Sequence, residues 1–376
     1  MKSVVCEIEK LRSGDSIPIV QNNYNRYMLV YRNSDNTKTS YCFSVPIYSE
    51  LTKNVVDFKF RHNKFGSYYL GSNATITISD IIHFKNEHGI CNINPIGKIT
   101  HKTEDTIYID SSNGCVEVSP TLNGLCFKVP CSDSQKTTVG MTVDCLLESV
   151  RANDKCFSIM RERFIPFITV SCIGTLNDRD ELIAPCKIDL KKITDKEYSI
   201  SFSNKSKSGK HIVYEINMYE GKLIQDTTVE SMHPTMNNAF GGTAFLGTTD
   251  YLGEQWLYSR VDFSNISQLH NKKIIKAILH IPKLNKSNGL LTANRISSRF
   301  CSFGSNWKNK IPVTKQFSES FISNGYHHID ITSLVRRIGK QSESFVIKTK
   351  ATDNKSTVIS TGDSFFNPQI IELKYK

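Results

Sequence analysis

Residues 198–203 read Tyr198-Ser199-Ile200-Ser201-Phe202-Ser203, three large apolar side chains each followed by a serine. A repeat of two is the spacing at which side chains alternate between the faces of a β-strand, so the stretch presents one apolar face and one hydroxyl face. The rhythm recurs outward along the chain. Ala74, Ile76 and Ile78 alternate with Thr75, Thr77 and Ser79; Ile212, Tyr214, Ile216 and Met218 form another set; Ile371, Leu373 and Tyr375 close the sequence. Turn-forming segments separate these runs, among them Asn33-Ser34-Asp35-Asn36, Gly71-Ser72-Asn73 and Ser111-Ser112-Asn113-Gly114. Short strands at this spacing predict an all-β protein of sandwiches or barrels rather than a parallel α/β sheet. One short helix is expected from Thr332 to Ile338, with Thr332 as N-cap, Leu334, Val335 and Ile338 on one face, and Gly339 at its end.

The 376 residues are 39% hydrophobic and 22% charged, which supports a buried core and leaves room for two or three domains. Changes in strand pattern near Phe164–Pro166 and Lys222–Asp226 divide the chain into a β-rich region over 1–164 of one or two subdomains, a small sandwich or linking sheet over 165–225, and a module over 226–376. No apolar run reaches the ~18 residues a membrane-spanning helix needs, so membrane insertion is not expected. The first twenty residues carry Glu7, Glu9, Lys10, Arg12 and Asp15 where a secretion signal would be apolar. The expectation is synthesis in the cytoplasm without a signal peptide and action on a particle, cell or spore surface after release.

Ten of the eleven cysteines lie in the first 186 residues, with no Cys-x-x-Cys half-site of a zinc ribbon. Cys42, Cys126 and Cys172 sit inside apolar runs, which predicts small buried hydrophobes in the thiol state rather than a disulfide scaffold. The formal charge of +11 is uneven. Residues 1–230 hold 28 Lys and Arg against 27 Asp and Glu, whereas residues 231–376 hold 19 against 9, a net of +10. Such asymmetry is either the footprint of a polyanionic partner or a solvated basic face. Nucleic acid is the weaker polyanion, because the aromatic and basic order of single-strand binders is missing.

No catalytic constellation is legible. His327 and His328 are adjacent, so on a strand they point to opposite faces and do not share a metal. Neither a Gly-x-Ser-x-Gly elbow nor a His-Glu-x-x-His pair nor a phosphate loop occurs, and no cofactor is expected.

From Asp226 onward several segments occur in a telling order: Asp226-Thr227-Thr228-Val229, Asn237-Asn238-Ala239-Phe240-Gly241-Gly242, Phe245-Leu246-Gly247, Leu257-Tyr258-Ser259-Arg260-Val261-Asp262-Phe263-Ser264, Asn306-Trp307, Ile329-Asp330-Ile331-Thr332 and Asn367-Pro368-Gln369-Ile370. This ordered set resembles the DNRLRE family of jelly-roll modules, which accompany polysaccharide-degrading enzymes and occur in surface proteins. The resemblance covers about two-fifths of the chain. It implies a C-terminal jelly-roll sandwich that binds carbohydrate. Jelly rolls often carry a structural calcium ion, for which backbone carbonyls with Asp226 or Asp363 are the candidate ligands, but the expectation stays at no cofactor. The basic stretch Lys308-Asn309-Lys310-Ile311-Pro312 is longer than the family's turn after the tryptophan.

If Ser259, Val261 and Phe263 point into the sandwich, Trp256, Tyr258, Arg260 and Asp262 point out. Aromatic faces stack on sugar rings and guanidinium forks bind carboxylates or sulfates. With Arg295, Arg299, Trp307, Lys308 and Lys310 they make an acidic glycan or anionic wall polymer the expected ligand. The alternative that Trp256 and Tyr258 only cover the sandwich edge or a domain interface stays open. The expected function is a non-enzymatic structural or adhesion protein, contacting other copies of itself or other proteins of a phage-like tail particle or spore layer. A polysaccharide-active enzyme with an accessory binding module is the alternative.

Overall fold

The computed structural model describes residues 4–12, 17–18, 25–94, 97–131, 136–146, 149–204, 206–264, 266–335, 344–350 and 356–376. Strand outweighs helix, about 56% against 4%, and the sheets are antiparallel, so this is an all-β protein of more than one domain. The chain forms two compact units, the first built on Tyr48–Gly221 and the second on Val5–Ile47 together with Lys222–Lys376.

In the first unit one sheet runs, in spatial order, Ser149–Ala152, Cys156–Glu162, Ile165–Leu176, His211–Met218, Gly124–Pro130, Gly114–Pro120, Ile107–Ser111 and Gly97–Lys102. The other runs Cys186–Lys192, Glu197–Asn204, Lys136–Cys145, Gly89–Ile93, Ile82–Asn86, Thr75–Ile78, Gly66–Leu70 and Arg61–Asn63. The alternation over 198–203 does what its pattern predicts: Tyr198, Ile200 and Phe202 are buried while the serines between them are partly exposed. Phe202 stacks on Tyr214 at 4.0 Å, and Tyr214 on Phe127 at 4.9 Å, an aromatic stack that ties the two sheets.

Strand pairing crosses the expected boundary at Phe164–Pro166. Ile165–Leu176 pairs with Cys156–Glu162, and Glu197–Asn204 with Lys136–Cys145. Residues 165–221 are therefore not a separate linking sheet; they complete both sheets of the first unit.

The second unit is a two-sheet sandwich. One sheet has the order Ile17–Pro18, Met28–Arg32, Lys38–Phe43, Ile370–Tyr375, Ile274–Pro282, Tyr326–Asp330 and Phe321–Ser323. The other runs Val313–Glu319, Leu291–Ile296, Ser344–Thr349, Gly253–Val261, Thr243–Thr249 and Thr357–Ser360, with Ile224–Glu230 also paired along Gly253–Val261. Their facing sides share one core, including Met28, Val30, Cys42, Leu257, Ala277, Leu279, Phe345 and Ile371.

The three N-terminal strands belong here, not to the first unit, because the C-terminal strand uses Lys38–Phe43 as a neighbour from Lys38↔Tyr375 to Phe43↔Ile370. The chain leaves this unit and returns through adjacent backbone: Ser44 N–H donates to Gln369 O and Leu223 N–H to Ser44 O, both at 2.8 Å.

Two α-helices are described. Thr332–Val335 is the shorter, and the expected continuation through Ile338 and Gly339 lies outside the described residues. Val4–Leu11 was not foreseen; within it Ile8 is buried and Glu7 accepts a hydrogen bond from the Tyr326 hydroxyl at 2.5 Å. Cys42, Cys91, Cys126 and Cys156 are buried thiols as expected, but Cys172 and Cys186 are joined by a disulfide. The two lie in different sheets of the first unit, at a Cα separation of 6.3 Å that a disulfide can span.

Candidate functional site

The outer face of the Gly253–Val261 strand is where the expected ligand platform falls. Leu257 and Val261 face the sandwich core, which leaves Trp256, Tyr258 and Arg260 on the other side. The alternation was read correctly, yet the face is not bare. Residues 297–312, which connect Leu291–Ile296 to Val313–Glu319, fold back over it. Phe300 packs on Tyr258 at 5.8 Å between ring centroids, and Val229 and Val346 complete a small second core. Tyr258 is consequently 0% exposed, and its hydroxyl donates to the Ile311 carbonyl at 2.9 Å. Burial pushes that hydroxyl up to about 12. Tyr258 is a packing residue, a correction to the expectation that it forms a ligand platform.

The covering segment is held in place by polar contacts. Asn237 Nδ2 donates to the carbonyls of Ser302 and Ser305 at 2.7 and 2.8 Å, and Lys308 N–H donates to Pro234 O at 2.8 Å. Asn306 and Asn309 exchange backbone-to-side-chain bonds at 2.8 and 3.1 Å. This turn delivers Trp307 beside Trp256, with ring centroids 5.1 Å apart and planes inclined at 59°.

Two ammonium groups sit on the rings. Lys310 Nζ is 3.7 Å from the Trp307 centroid and 5.0 Å from that of Trp256, and Lys348 Nζ is 3.3 Å from Trp256. Lys348 is one position beyond the Leu257↔Ile347 pair, so its strand register sets it opposite Trp256. Burial, with the nearby Lys310 charge, lowers the Lys348 ammonium from its ordinary value, while the Glu254 carboxylate raises it. Glu254 accepts the Trp256 Nε1–H bond at 2.7 Å. The indole faces hold the two cations by cation–π attraction. The resulting cluster is one that an anionic group can bridge.

The other expected residues do not join it. Arg260 lies four residues further along the strand, about 13 Å away, and its guanidinium bonds Gln225 across the strand pair. Arg295 pairs in register with Phe345, a core residue, and therefore stands on the opposite face, where its guanidinium lies 5.7 Å from the Phe317 ring. Arg299 and Lys308 are exposed on the covering segment. Lys348 and Glu254 were missed. Ser344–Thr349 carries its apolar residues as one run, Phe345 to Ile347, without alternation, and only the pairing register reveals that Lys348 faces Trp256.

Asp226 and Asp363, named separately as calcium ligands, do meet. Lys222 meets them as well: its Nζ is 2.5 Å from Asp363 Oδ1. An internal ammonium already supplies the cation, and the cluster does not fit a calcium ion, which needs six to eight oxygen ligands. Among the described residues no group of three or more His, Cys, Asp or Glu is placed to hold a metal. His327 and His328 do face opposite ways. His328 Nδ1 is 2.6 Å from His280 Nδ1 on one face, and His327 is buried with Ser320 Oγ at 3.4 Å. No helix among the described residues is long and apolar enough to cross a membrane.

No protein-family model matches the chain, and no curated protein does. Comparison with solved structures found the GH31 α-xylosidase from Xanthomonas citri at 8% identity and a TM-score of 0.14, over 97% of this chain. The alignment spans 38% of that enzyme's chain.

Proposed function

We propose that this chain is a non-enzymatic structural or adhesion protein whose second unit, a sandwich similar to the DNRLRE jelly rolls, binds an acidic surface glycan at the Trp256–Trp307 face. The observation that carries this reading is the pair of ammonium groups, Lys310 and Lys348, held on two adjoining indoles with the Glu254 carboxylate beside them. A carboxylate, sulfate or phosphate on the polymer bridges the two lysines, and the sugar ring rests against the indole edges. The charge balance agrees. Residues 5–47 and 222–376 together hold 25 Lys and Arg against 15 Asp and Glu, and the remainder holds 22 against 21. In this reading the nearly neutral first unit serves for assembly, on a phage-like tail particle or a spore layer.

Titration of the full chain with uronate-rich, phosphate-bearing and neutral polymers tests the reading. Binding should favour the anionic polymers and weaken from low to physiological salt, as the Debye length shortens to about 8 Å. Lys310→Ala and Trp307→Ala should each weaken it, whereas Arg260→Ala should leave it nearly unchanged. Equal affinity for neutral and anionic polymers, or indifference to both Lys310 and Trp307, would remove the site.

A further inference from the structure

The cluster of Lys222, Asp226 and Asp363 lies apart from the Trp256–Trp307 face, and its reading does not depend on glycan binding. Lys222 stands just before the strand Ile224–Glu230, and Asp363 follows the strand Thr357–Ser360. The two are 141 residues apart in sequence, and together they join the beginning and the end of the longer segment of the second unit. Both side chains are buried, at 4% and 5% exposure, with Nζ and Oδ1 2.5 Å apart.

A buried ion pair offsets its desolvation only when its remaining donors and acceptors are satisfied. Here the partners are few. Beyond Asp363, Lys222 Nζ meets the Ala239 carbonyl at 3.4 Å and the Phe240 ring at 5.8 Å. The Asp226 and Asp363 carboxyls hydrogen-bond each other, and Asp226 Oδ2 accepts the Gly362 N–H at 2.5 Å. Otherwise Asp226 Oδ1 and Asp363 Oδ2 have no partner among the described residues. Burial raises both carboxyls, so a proton is retained between them. The backbone has been brought in tightly: a Cβ on Gly362 would lie 2.9 Å from Ile224 Cβ and 3.0 Å from Asp226 Oδ2. An amine, a carboxyl and a second carboxyl able to carry protons are thus held together in a buried site.

We propose that Lys222 and Asp363 condense to an intramolecular isopeptide bond, with Asp226 as the proton carrier. Transfer of a proton from the ammonium to the carboxyl pair frees the amine. The Nζ lone pair attacks Cγ of Asp363, forming the N–C bond and a tetrahedral centre. Asp226 takes a proton from the nitrogen and delivers it to a hydroxyl on that carbon. The C–O bond breaks, and one water leaves. No atom changes oxidation state and no co-reactant is consumed. Contact between the reacting groups supplies the effective concentration, and burial protects the amide from hydrolysis. The product would lock the start of Lys222–Lys376 to its end, a covalent clamp suited to a protein under mechanical load.

Intact-mass spectrometry of the full chain, reduced and denatured, tests this directly. The expected mass is one water below that of the sequence, and proteolysis should release a branched peptide joining the Lys222 and Asp363 segments. Asp226→Asn retains both reacting groups and an acceptor for Gly362 N–H, and should show the full mass, as should Lys222→Arg. The wild-type mass decides even where a variant fails to fold. A folded wild type at the full sequence mass would overturn the proposal, leaving a buried ion pair. So would a water loss confined to the Asp363 peptide alone, the mark of a cyclic imide.

Discussion

The two units solve the same problem, burying apolar sheet faces, in opposite ways. The first is built mainly on Tyr48–Gly221, and long stretches of it pair strand by strand in sequence order. Arg61–Asn63 through Gly89–Ile93 is one such run of hairpins, and Gly97–Lys102 through Gly124–Pro130 is another. Its sheets are tied by the Phe127–Tyr214–Phe202 stack and one disulfide. The second closes on itself by pairing Lys38–Phe43 with Ile370–Tyr375, and it holds buried polar clusters: Lys222 with Asp363, Glu230 against Gln255, and His280 with His328 beside Glu372. Sequence-local pairing is cheap in loop entropy, whereas pairing of distant ends must be repaid by the contacts it makes. The second unit therefore depends on residues far from its main body.

Deletion of residues 1–47 is the sharpest way to break that dependence. It removes one of the two neighbours of Ile370–Tyr375 and takes Met28, Val30 and Cys42 out of the shared core. Full burial of the Met and Val side chains contributes about 1.5–3 kcal/mol each, so with Cys42 and the lost strand pairing the loss is on the order of 5 kcal/mol, the lower end of a whole domain's stability. Thermal unfolding and hydrogen exchange should show the second unit unprotected while Tyr48–Gly221 keeps its transition. The exposed edge of Ile370–Tyr375 should also make the truncated chain aggregate. An unaltered second unit would show that the N-terminal strands are accessory.

What the sequence revealed follows from the same contrast. Alternation is a property of neighbours, so the face of Tyr198, Ile200 and Phe202 and the outward direction of Trp256 were legible. Register and partner choice are properties of distant residues. Nothing near Lys38 announces Ile370–Tyr375, so the sequence alone puts Val5–Ile47 in the wrong unit. Likewise, nothing near Trp256 announces residues 297–312 as its cover or Lys348 as its neighbour. Tyr258 was assigned to the correct face and still misjudged, because a face turned away from one core was roofed by another. Arg295 failed for a simpler reason: it was grouped by charge, and its register puts it on the opposite side of the sheet.

Acid should separate the units next. Burial, with the charges of Lys283 and His328 nearby, pushes His327 down to about 4. Below its ordinary value near 6.5 the unfolded chain takes up a proton that the folded second unit refuses. The stability contributed by neutral His327 is complete above that pH and falls as the pH approaches about 4, by up to about 3 kcal/mol. Asp226 and Asp363, raised by burial, act with the opposite sign. The comparison must therefore be wild type against His327→Leu, measured by denaturant unfolding of the second unit at pH 7 and pH 4.5. The variant should lose less stability on acidification than the wild type. Parallel losses would mean that His327 accepts its proton without unfolding.

The smallest effect asked of the molecule is the most specific. Tyr258→Phe removes one hydroxyl and leaves the ring against Phe300, Val229 and Val346. The lost bond to the Ile311 carbonyl costs about 0.5–1.5 kcal/mol. Ile311 follows Lys310 directly, so freeing its carbonyl loosens the part of the cover that carries Lys310 and, three residues before it, Trp307. Hydrogen exchange should rise in residues 297–312 and nowhere in the first unit. Affinity for an anionic polymer should fall by up to about tenfold, the equivalent of 1.4 kcal/mol. Arg260→Ala, about 13 Å along the strand, provides the control that changes charge without touching the cover. If Tyr258→Phe alters neither exchange nor affinity, the segment is held by Phe300 and the Asn237 bonds alone. The buried tyrosine would then be packing without a part in presenting the two lysines.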